Sequence, residues 1–406
     1  MGNLGWSKRT INDGNNEYTN IVIYKNTTQD VNRSQKELHL GDKYIGKKIA
    51  MTNLGLDIGT KTLVLSYRGA DGEVAYITEL NGYWVFERST PFILNMLTQN
   101  KKRHDGKERS AKFITLDSGK LIVLGRDAEE LAFAKNDTLM RPMAEGGIAS
   151  DEDAMVVLSS IIHGMLEMVE GQIGNFGDSV NICYCTTAKA INKTNNIDYH
   201  ERVIDIILQG YRSINKKLHK IKESHAIVLN MSPDATGIGI SWGAGTVTVS
   251  YVKYGIEIFS FCWVGAGDWI DESVAMRYGY DPTAFKKSAK ETPTTVARSK
   301  MSVDLTPGSM TTDRLKMDIA LHYDVLISYV VDGIISGFEA NASEARIDQG
   351  INVYMAGGTS SPNGFTERVK KAFSDRSVPF EIGDVLKADE PLLCVAEGCL
   401  KASEMF

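Results

Sequence analysis

One hairpin is written twice in this chain. The run Leu54-Gly55-Leu56-Asp57-Ile58-Gly59-Thr60-Lys61-Thr62-Leu63-Val64-Leu65-Ser66-Tyr67 returns, 184 positions later, as Ile238-Gly239-Ile240-Ser241-Trp242-Gly243-Ala244-Gly245-Thr246-Val247-Thr248-Val249-Ser250-Tyr251. In each copy an apolar strand enters a short glycine turn and a second β-prone strand of similar length leaves it. Glycine in such a turn admits a positive φ or lets another group approach the backbone. Both turns carry bare amides and hydroxyls, so two of them facing one another would offer N–H groups to a polyphosphate from both sides.

A chain of 406 residues with 43% apolar and 24% charged residues is long enough for two or more domains with full cores. The net charge of −6 argues against nucleic acid as the main partner. No run of 18 apolar residues occurs, and Val325 to Phe338, interrupted by Asp332, has the period of a buried helix. The polar N-terminus lacks the apolar stretch of a signal peptide, which predicts a cytoplasmic protein. The five cysteines, Cys183, Cys185, Cys262, Cys394 and Cys399, have no metal-ligand spacing and are expected to be reduced; no paired-histidine motif occurs either.

Residues 1–50 are rich in Asn, Lys, Asp and Thr, with Asn20–Tyr24 the one strand-like run. They read as a mobile extension and a candidate dock for an adaptor protein. Strand-like segments are expected at 73–77, 83–86, 89–97, 180–185, 226–230, 256–262 and 352–355. An exposed basic loop is expected at 100–109. Helices are expected from Arg126, from the capping-box-like Ser150-Asp151-Glu152-Asp153 to Val169 with Met155, Leu158, Ile162, Met165 and Met168 on its apolar face, and around 200–215, 269–278, 283–291, 312–337, 365–373 and 391–405. Strands and helices alternating around a duplicated hairpin predict an α/β protein of two like halves.

Asp57-Ile58-Gly59-Thr60-Lys61-Thr62 puts a carboxylate at a strand end before a hydroxyl-bearing turn. That combination suits Mg²⁺ held beside phosphate. A second glycine cluster, Ala356-Gly357-Gly358-Thr359-Ser360-Ser361-Pro362, lies between a strand and a helix, where backbone can approach a nucleotide. It matches neither the Walker A nor the GxGxxG pattern. Another, Val264-Gly265-Ala266-Gly267-Asp268-Trp269-Ile270-Asp271-Glu272, joins the exit strand of the second hairpin to a helix; a plain glycine turn with an Asp near its cap is an equally good reading of it alone.

Taken in order over about residues 54 to 406, these clusters resemble the actin, Hsp70 and sugar-kinase superfamily, and are most similar to bacterial and archaeal actin homologues of the MreB type. Gly125-Arg126-Asp127-Ala128, Met140-Arg141-Pro142-Met143 and Gly147-Ile148 look like that family's G-x-x-A, RPM and G-x-I segments. Val264 to Glu272 looks like its VGGDxxDE segment with one residue added. The resemblance implies an actin-like α/β fold, two ribonuclease-H-type domains around a nucleotide cleft. Their expected extents are 51–236 plus 386–406, with an inserted subdomain near 88–148, and 237–385. It implies ATP and Mg²⁺ as cofactors, with Asp57 toward the metal. Gly59, Thr60, Lys61 and Thr62 would form the first phosphate turn, and Gly243, Ala244, Gly245 and Thr246 the second. Gly265, Gly267, Asp268, Gly357, Gly358, Thr359 and Ser360 would lie around the nucleoside, with Lys287 near the ribose or base. It also implies self-association into filaments, and leaves membrane contact through Tyr83-Trp84-Val85-Phe86 open.

The sequence departs from the family at two places. Its second phosphate motif opens on Ser241 where the family has Asp. The residue that orients the attacking water has its nearest match in Glu223, with Ser224 or His225 as alternatives. Glu223 and Ser241 are therefore the catalytic candidates, and slow ATP hydrolysis is expected. A small-molecule kinase of the same fold, or an ATP-dependent adaptor or reactivating chaperone that does not polymerise, are the competing readings.

Overall fold

The computed structural model describes residues 4–12, 17–25, 51–88, 90–102, 108–116, 118–134, 139–149, 153–176, 179–212, 214–281, 291–345 and 350–406. Within the N-terminal extension the strand expected at 20–24 is part of β2 (Glu17–Lys25), paired antiparallel with an unforeseen β1 (Leu4–Asn12).

The first duplicated hairpin is β3 (Thr52–Ile58) and β4 (Thr62–Arg68), followed by β5 (Val74–Leu80). A smaller unit comes next: β6 (Tyr83–Phe86), α1 (Pro91–Thr98), β7 (Lys101–Lys102), β8 (Glu108–Arg109), β9 (Phe113–Thr115), β10 (Leu121–Leu124), α2 (Gly125–Ala134), and the short hairpin β11 (Met143–Ala144) and β12 (Gly147–Ile148). Then α3 (Ala154–Ile173), β13 (Ser179–Thr186), α4 (Ile197–Gln209), β14 (Asn215–Lys222) and α5 (Glu223–Met231) lead to the second hairpin, β15 (Gly237–Trp242) and β16 (Thr246–Lys253). The remainder is β17 (Ile256–Val264), α6 (Gly267–Arg277), α7 (Pro293–Lys300), α8 (Arg314–Ala340), β18 (Ile351–Ala356), α9 (Phe365–Ser374), β19 (Ile382–Lys387) and α10 (Cys394–Met405).

Two five-stranded sheets carry the molecule, ordered β14-β13-β3-β4-β5 and β17-β16-β15-β18-β19. In each, three antiparallel strands continue into two parallel ones. The hairpins keep the same register, Gly55 opposite Ser66 and Gly239 opposite Ser250. Each sheet has its own apolar core, one built around Leu54, Leu56, Ile162 and Ile182, the other around Ile240, Val249, Leu326 and Val353.

The glycines inside β3 and β15 are there because a helix lies directly on the strand. A Cβ on Gly55 would sit 2.2 Å from the Ala396 carbonyl oxygen of α10, and one on Gly239 would sit 2.0 Å from the Ser224 carbonyl oxygen of α5. The Ser66 hydroxyl donates to the Ala396 carbonyl at 2.7 Å, and the Ser224 and Ser250 hydroxyls share a 2.7 Å bond. The two helices therefore play equivalent parts, each lying across one copy of the repeat.

Several expectations need correcting. Residues 226–230, β-prone by composition, are helical in α5, where Ala226, Ile227 and Val228 are buried. Residues 90–97 are not a strand, residue 89 lying outside the described residues; α1 starts at Pro91, with the Thr90 hydroxyl accepting from the Ile93 amide. The helix expected to reach residue 215 ends at Gln209, and β14 follows it as an edge strand with four lysines, the kind of charge that blunts edge pairing. Met168 faces solvent, 41% exposed, while Leu158, Ile162 and Met165 are buried. Asp153 caps α3 without a side-chain bond, and residues 150–152 of the expected capping box lie outside the described residues. Of the basic segment expected to be a loop, Lys101 and Lys102 are exposed but form β7, paired with Glu108 and Arg109 of β8, and residues 103–107 lie outside the described residues.

Among the described residues two helices, α3 and α8, are long and apolar enough to cross a membrane by length and composition alone. In α3 the apolar window is mostly buried against the core.

Candidate functional site

The two repeat turns close in the same way. A Cβ on Gly59 would lie 2.6 Å from the Thr62 carbonyl oxygen, and one on Gly243 would lie 2.8 Å from the Thr246 carbonyl oxygen. The Gly243 amide donates to that Thr246 carbonyl at 3.0 Å. The first turn is fastened by Asn81, which is fully buried: its Nδ2 donates to the Gly59 carbonyl at 2.9 Å and its amide to the Lys61 carbonyl at 2.9 Å.

The turns also meet each other. A Cβ on Gly245 would be 2.8 Å from the Thr60 Oγ1 and 3.1 and 3.2 Å from the amide nitrogens of Gly146 and Glu145. Those amides form the tip of the β11–β12 hairpin, whose turn residues both have positive φ, 52° at Glu145 and 77° at Gly146. Thus three backbone turns converge, Thr60 from one sheet, Gly245 from the other, and Glu145-Gly146 from the smaller unit.

Two half-buried carboxyl groups, Asp57 and Glu223, accompany them. Asp57, at the end of β3, accepts from the Cys185 Sγ at 3.1 Å. Burial raises its pKa from 3.8 to about 6. Glu223 opens α5; burial first, and the Asp57 charge second, raise it from 4.5 to about 8, against hydrogen bonding from the Ser241 hydroxyl. Of the three water-orienting candidates, Glu223 is the one placed beside Asp57 and Ser241. Ser224 is occupied with Ser250, and His225 lies by Gly255 and Glu257. Cys185 is a buried neutral thiol, its pKa pushed up to about 12 chiefly by burial.

The pair makes a prediction for the ligand-free protein. Folding raises both carboxyls above their unfolded values of 3.8 and 4.5, so the folded state holds more protons from about pH 4 up to about 8. Stability should therefore fall as pH rises through that window and level off above it. Thermal denaturation between pH 5 and 8.5 is expected to show this fall, with a flatter profile in Glu223→Gln. A stability that rises with pH and is unaffected by that substitution would contradict the assignment.

The other glycine clusters gather on the second turn. The Gly243 carbonyl accepts from the Thr359 Oγ1 at 2.6 Å and from the Gly267 amide at 3.3 Å. The Asp268 amide donates to the Ala244 carbonyl at 2.8 Å, and the Gly265 amide to the Gly245 carbonyl at 2.9 Å. Gly357, at φ 98°, lies so close to β15 that a Cβ would stand 2.4 Å from the Trp242 carbonyl oxygen. Thr359 and Ser360 are buried, and the Ser360 hydroxyl donates to the Gly357 carbonyl at 2.7 Å. Their hydroxyls hold the loop together rather than face outward, whereas Gly358 has only the Leu392 side chain within 4 Å of its Cβ position.

Several polar contacts that the sequence did not foreshadow complete the site. Arg141 and Asp268 form an ion pair at 2.6 Å that joins the RPM segment to the start of α6. Lys300 pairs with Asp271 at 2.7 Å and donates to the Gly267 carbonyl at 2.8 Å. Burial raises Asp271 to about 6 despite Lys300, and burial lowers Lys300. Lys61 is exposed, and its charge reaches Asp271 and Lys300. Lys287 lies outside the described residues. The Glu145-Gly146-Gly147 run between Met143 and Ile148 was the sequence signal for the third turn; the pairing of Arg141 with Asp268, 127 positions apart, had none.

Among the described residues no group of three or more His, Cys, Asp or Glu side chains could hold a metal by itself. A Mg²⁺ ion here would take most of its ligands from phosphate and water, which is its common habit. The donor set fits such an ion: two half-buried carboxyls with raised pKa, Glu223 raised in part by the Asp57 charge, gain from a divalent cation placed near them.

Comparison with known structures identifies the fold. The chain is similar to a protomer of the MamK double helical filament, with 15% identity, a TM-score of 0.60, and 86% of this chain and 98% of that one covered. It is also similar to MreB5 of Spiroplasma citri, crystallised with ADP, with 12% identity, a TM-score of 0.55 and coverage of 86% and 95%. A non-polymerising MamK mutant bound to AMPPNP matches with 15% identity, a TM-score of 0.51 and coverage of 87% and 98%. At these identities the likeness establishes the actin-like two-domain α/β fold. No curated protein matches the sequence. The sequence model of the Volactin family matches residues 51–403, from the first repeat strand nearly to the end of α10, and the chain belongs to that family.

Proposed function

We propose that this protein is an actin-like filament former that binds ATP with Mg²⁺ between its two repeat turns and hydrolyses it slowly. The observation that carries the reading is the convergence of Thr60, Gly245 and the Glu145-Gly146 tip, together with the half-buried pair Asp57 and Glu223. Support also comes from what the similar structures are named for: a double helical filament of MamK, MreB5 with ADP, and a non-polymerising MamK mutant with AMPPNP.

In this reading the turns at 59–62 and 243–246 give amides to the phosphates, and Asp57 holds the water shell of Mg²⁺. The backbone of Gly357 and Gly358 lies along the nucleoside, while Gly265, Gly267 and Asp268 shape the wall behind the second turn. When bound, Mg²⁺·ATP supplies the charge that ties the two turns together and the phosphoanhydride that is cleaved. Glu223 orients the water and accepts its proton; its raised pKa suits that exchange near neutral pH. The halves are drawn at 51–236 plus 386–406 and at 237–385. Nucleotide state then sets their closure, and closure sets the protomer shape a filament accepts.

Slow turnover follows from Ser241. A hydroxyl can bond a metal-bound water but brings no charge to it. Ser241→Asp is therefore expected to speed phosphate release by roughly tenfold or more, a part of what one well-placed group supplies in such sites. The ligand-free variant should also be less stable than wild type, because the buried Ser241 position would hold a third carboxyl beside two whose pKa is already raised, and Mg²⁺·ATP should restore it. Steady-state phosphate release and ATP titration of both proteins test this. A fast wild type slowed by the Asp would contradict the reading.

A further inference from the structure

The outward ridge of α8 has a self-complementary order. Met317, Leu321, Val325 and Tyr329 are each between 41% and 54% exposed. Arg314 precedes them and Asp332 follows them on the same face, both exposed. These six positions are spaced three, four, four, four and three residues apart, so the spacing reads the same from either end. At about 1.5 Å per residue the ridge runs about 27 Å. Tyr329 is held in place by stacking on Trp263, with ring centroids 4.6 Å apart and planes at 12°. The opposite face of the helix, with Leu326, Ile327, Val330 and Ile334, is spent on the core.

A two-fold axis at the level of Tyr323 brings two such ridges together antiparallel. Leu321 then meets Val325 of the second copy, Met317 meets Tyr329, and Arg314 meets Asp332 at both ends. Asp332 keeps a free side for this, since it is 58% exposed although Arg376 pairs with it. The match of apolar with apolar and of cation with acid under one rotation is what an isologous contact requires. A lipid surface is the other class of partner for an apolar helix face, but it favours a rim of Lys and Arg. Here the ridge ends on Arg314 at one side and on Asp332 and Glu339 at the other.

We infer that α8 is a lateral interface, pairing antiparallel with α8 of a second copy and joining two filament strands; this rests on the filament reading. One ridge buries far less than the roughly 800 Å² per partner of a standard stable interface, so two free protomers should pair weakly. Repetition along a filament makes the contact strong by multivalency.

The five native cysteines are all buried, which leaves engineered ones as the reactive sites. Protein carrying Leu321→Cys with Val325→Cys, incubated with Mg²⁺·ATP and oxidised with copper phenanthroline, should give a disulfide dimer on a non-reducing gel. A Lys371→Cys control on α9 should not. Leu321→Glu with Val325→Glu should remove strand pairing in negative-stain images while single strands still form. A dimer band no stronger than the control, or paired strands in the Glu variant, overturns the inference. Binding to phosphatidylglycerol vesicles that the Glu variant loses, without cross-linking in the Cys variant, overturns it in favour of a lipid surface. Absence of any filament in wild type defeats the filament reading instead, and a dimer band at high protein concentration would then still support the ridge contact.

Discussion

Gly398→Val is expected to leave little or no stable folded protein. A Cβ at this position would lie 2.0 Å from the Ala226 carbonyl oxygen and 2.5 Å from its carbon, so α10 and α5 touch backbone to backbone. Overpacking against movable side chains costs about 1–3 kcal/mol. Here no side chain can yield, and relief requires parting the two helices that lie on the repeated strands. That would also open the cluster of Ala226, Ile227, Val395 and Cys399 between them. A cost at or beyond the upper end of that range is a large share of the 5–15 kcal/mol typical of a folded domain, and a drop in Tm of about 10 °C or more, or loss of the cooperative transition, is expected. Gly164→Ala in α3, where a Cβ has nothing within 4 Å, is the matched control and should be neutral or slightly stabilising. A Gly398→Val protein melting like wild type would contradict the helix crossing described above.

The second large effect is kinetic. Glu223→Gln keeps the shape of the side chain and its place at the start of α5 while removing the group that can take a proton. Phosphate release is expected to fall roughly 10²–10³-fold, the usual weight of one well-placed catalytic group. ATP affinity should stay within a few-fold of wild type, because Asp57 and the turn amides are untouched. Single-turnover phosphate release alongside equilibrium ATP titration separates the two quantities. A variant that hydrolyses at the wild-type rate would remove Glu223 from the catalytic role and leave Asp57 as the sole working carboxyl.

Much of this was legible because the duplicated hairpin carries its geometry in its letters. Glycines at 55 and 239, 59 and 243, and serines at 66 and 250, hold the same offset and turn out to hold the same register and the same close contacts. What was misread depends on packing that is far away in sequence. Ala226 to Asn230 is β-prone in composition, and its helicity belongs to its place against α10. Strand β14 was not foreseen, because the lysines that guard a sheet edge break its apolar alternation. The hydroxyls of Thr359 and Ser360 bind their loop to Gly243 and Gly357, a role the sequence did not foreshadow. Asn81, Lys300 and the Arg141–Asp268 pair act through partners brought near only by the fold.

The central claim is that nucleotide held between the two repeat turns drives assembly, and high-speed sedimentation tests it most directly. Wild-type protein and Asp57→Ala should be compared with and without ATP and Mg²⁺, after thermal denaturation has shown both to be folded. The account predicts that wild type pellets only when ATP and Mg²⁺ are both present, that chelating Mg²⁺ returns it to the supernatant, and that Asp57→Ala stays soluble throughout. Pelleting of wild type that ignores nucleotide and Asp57 alike would contradict the account, as would a wild type that binds Mg²⁺·ATP and never sediments.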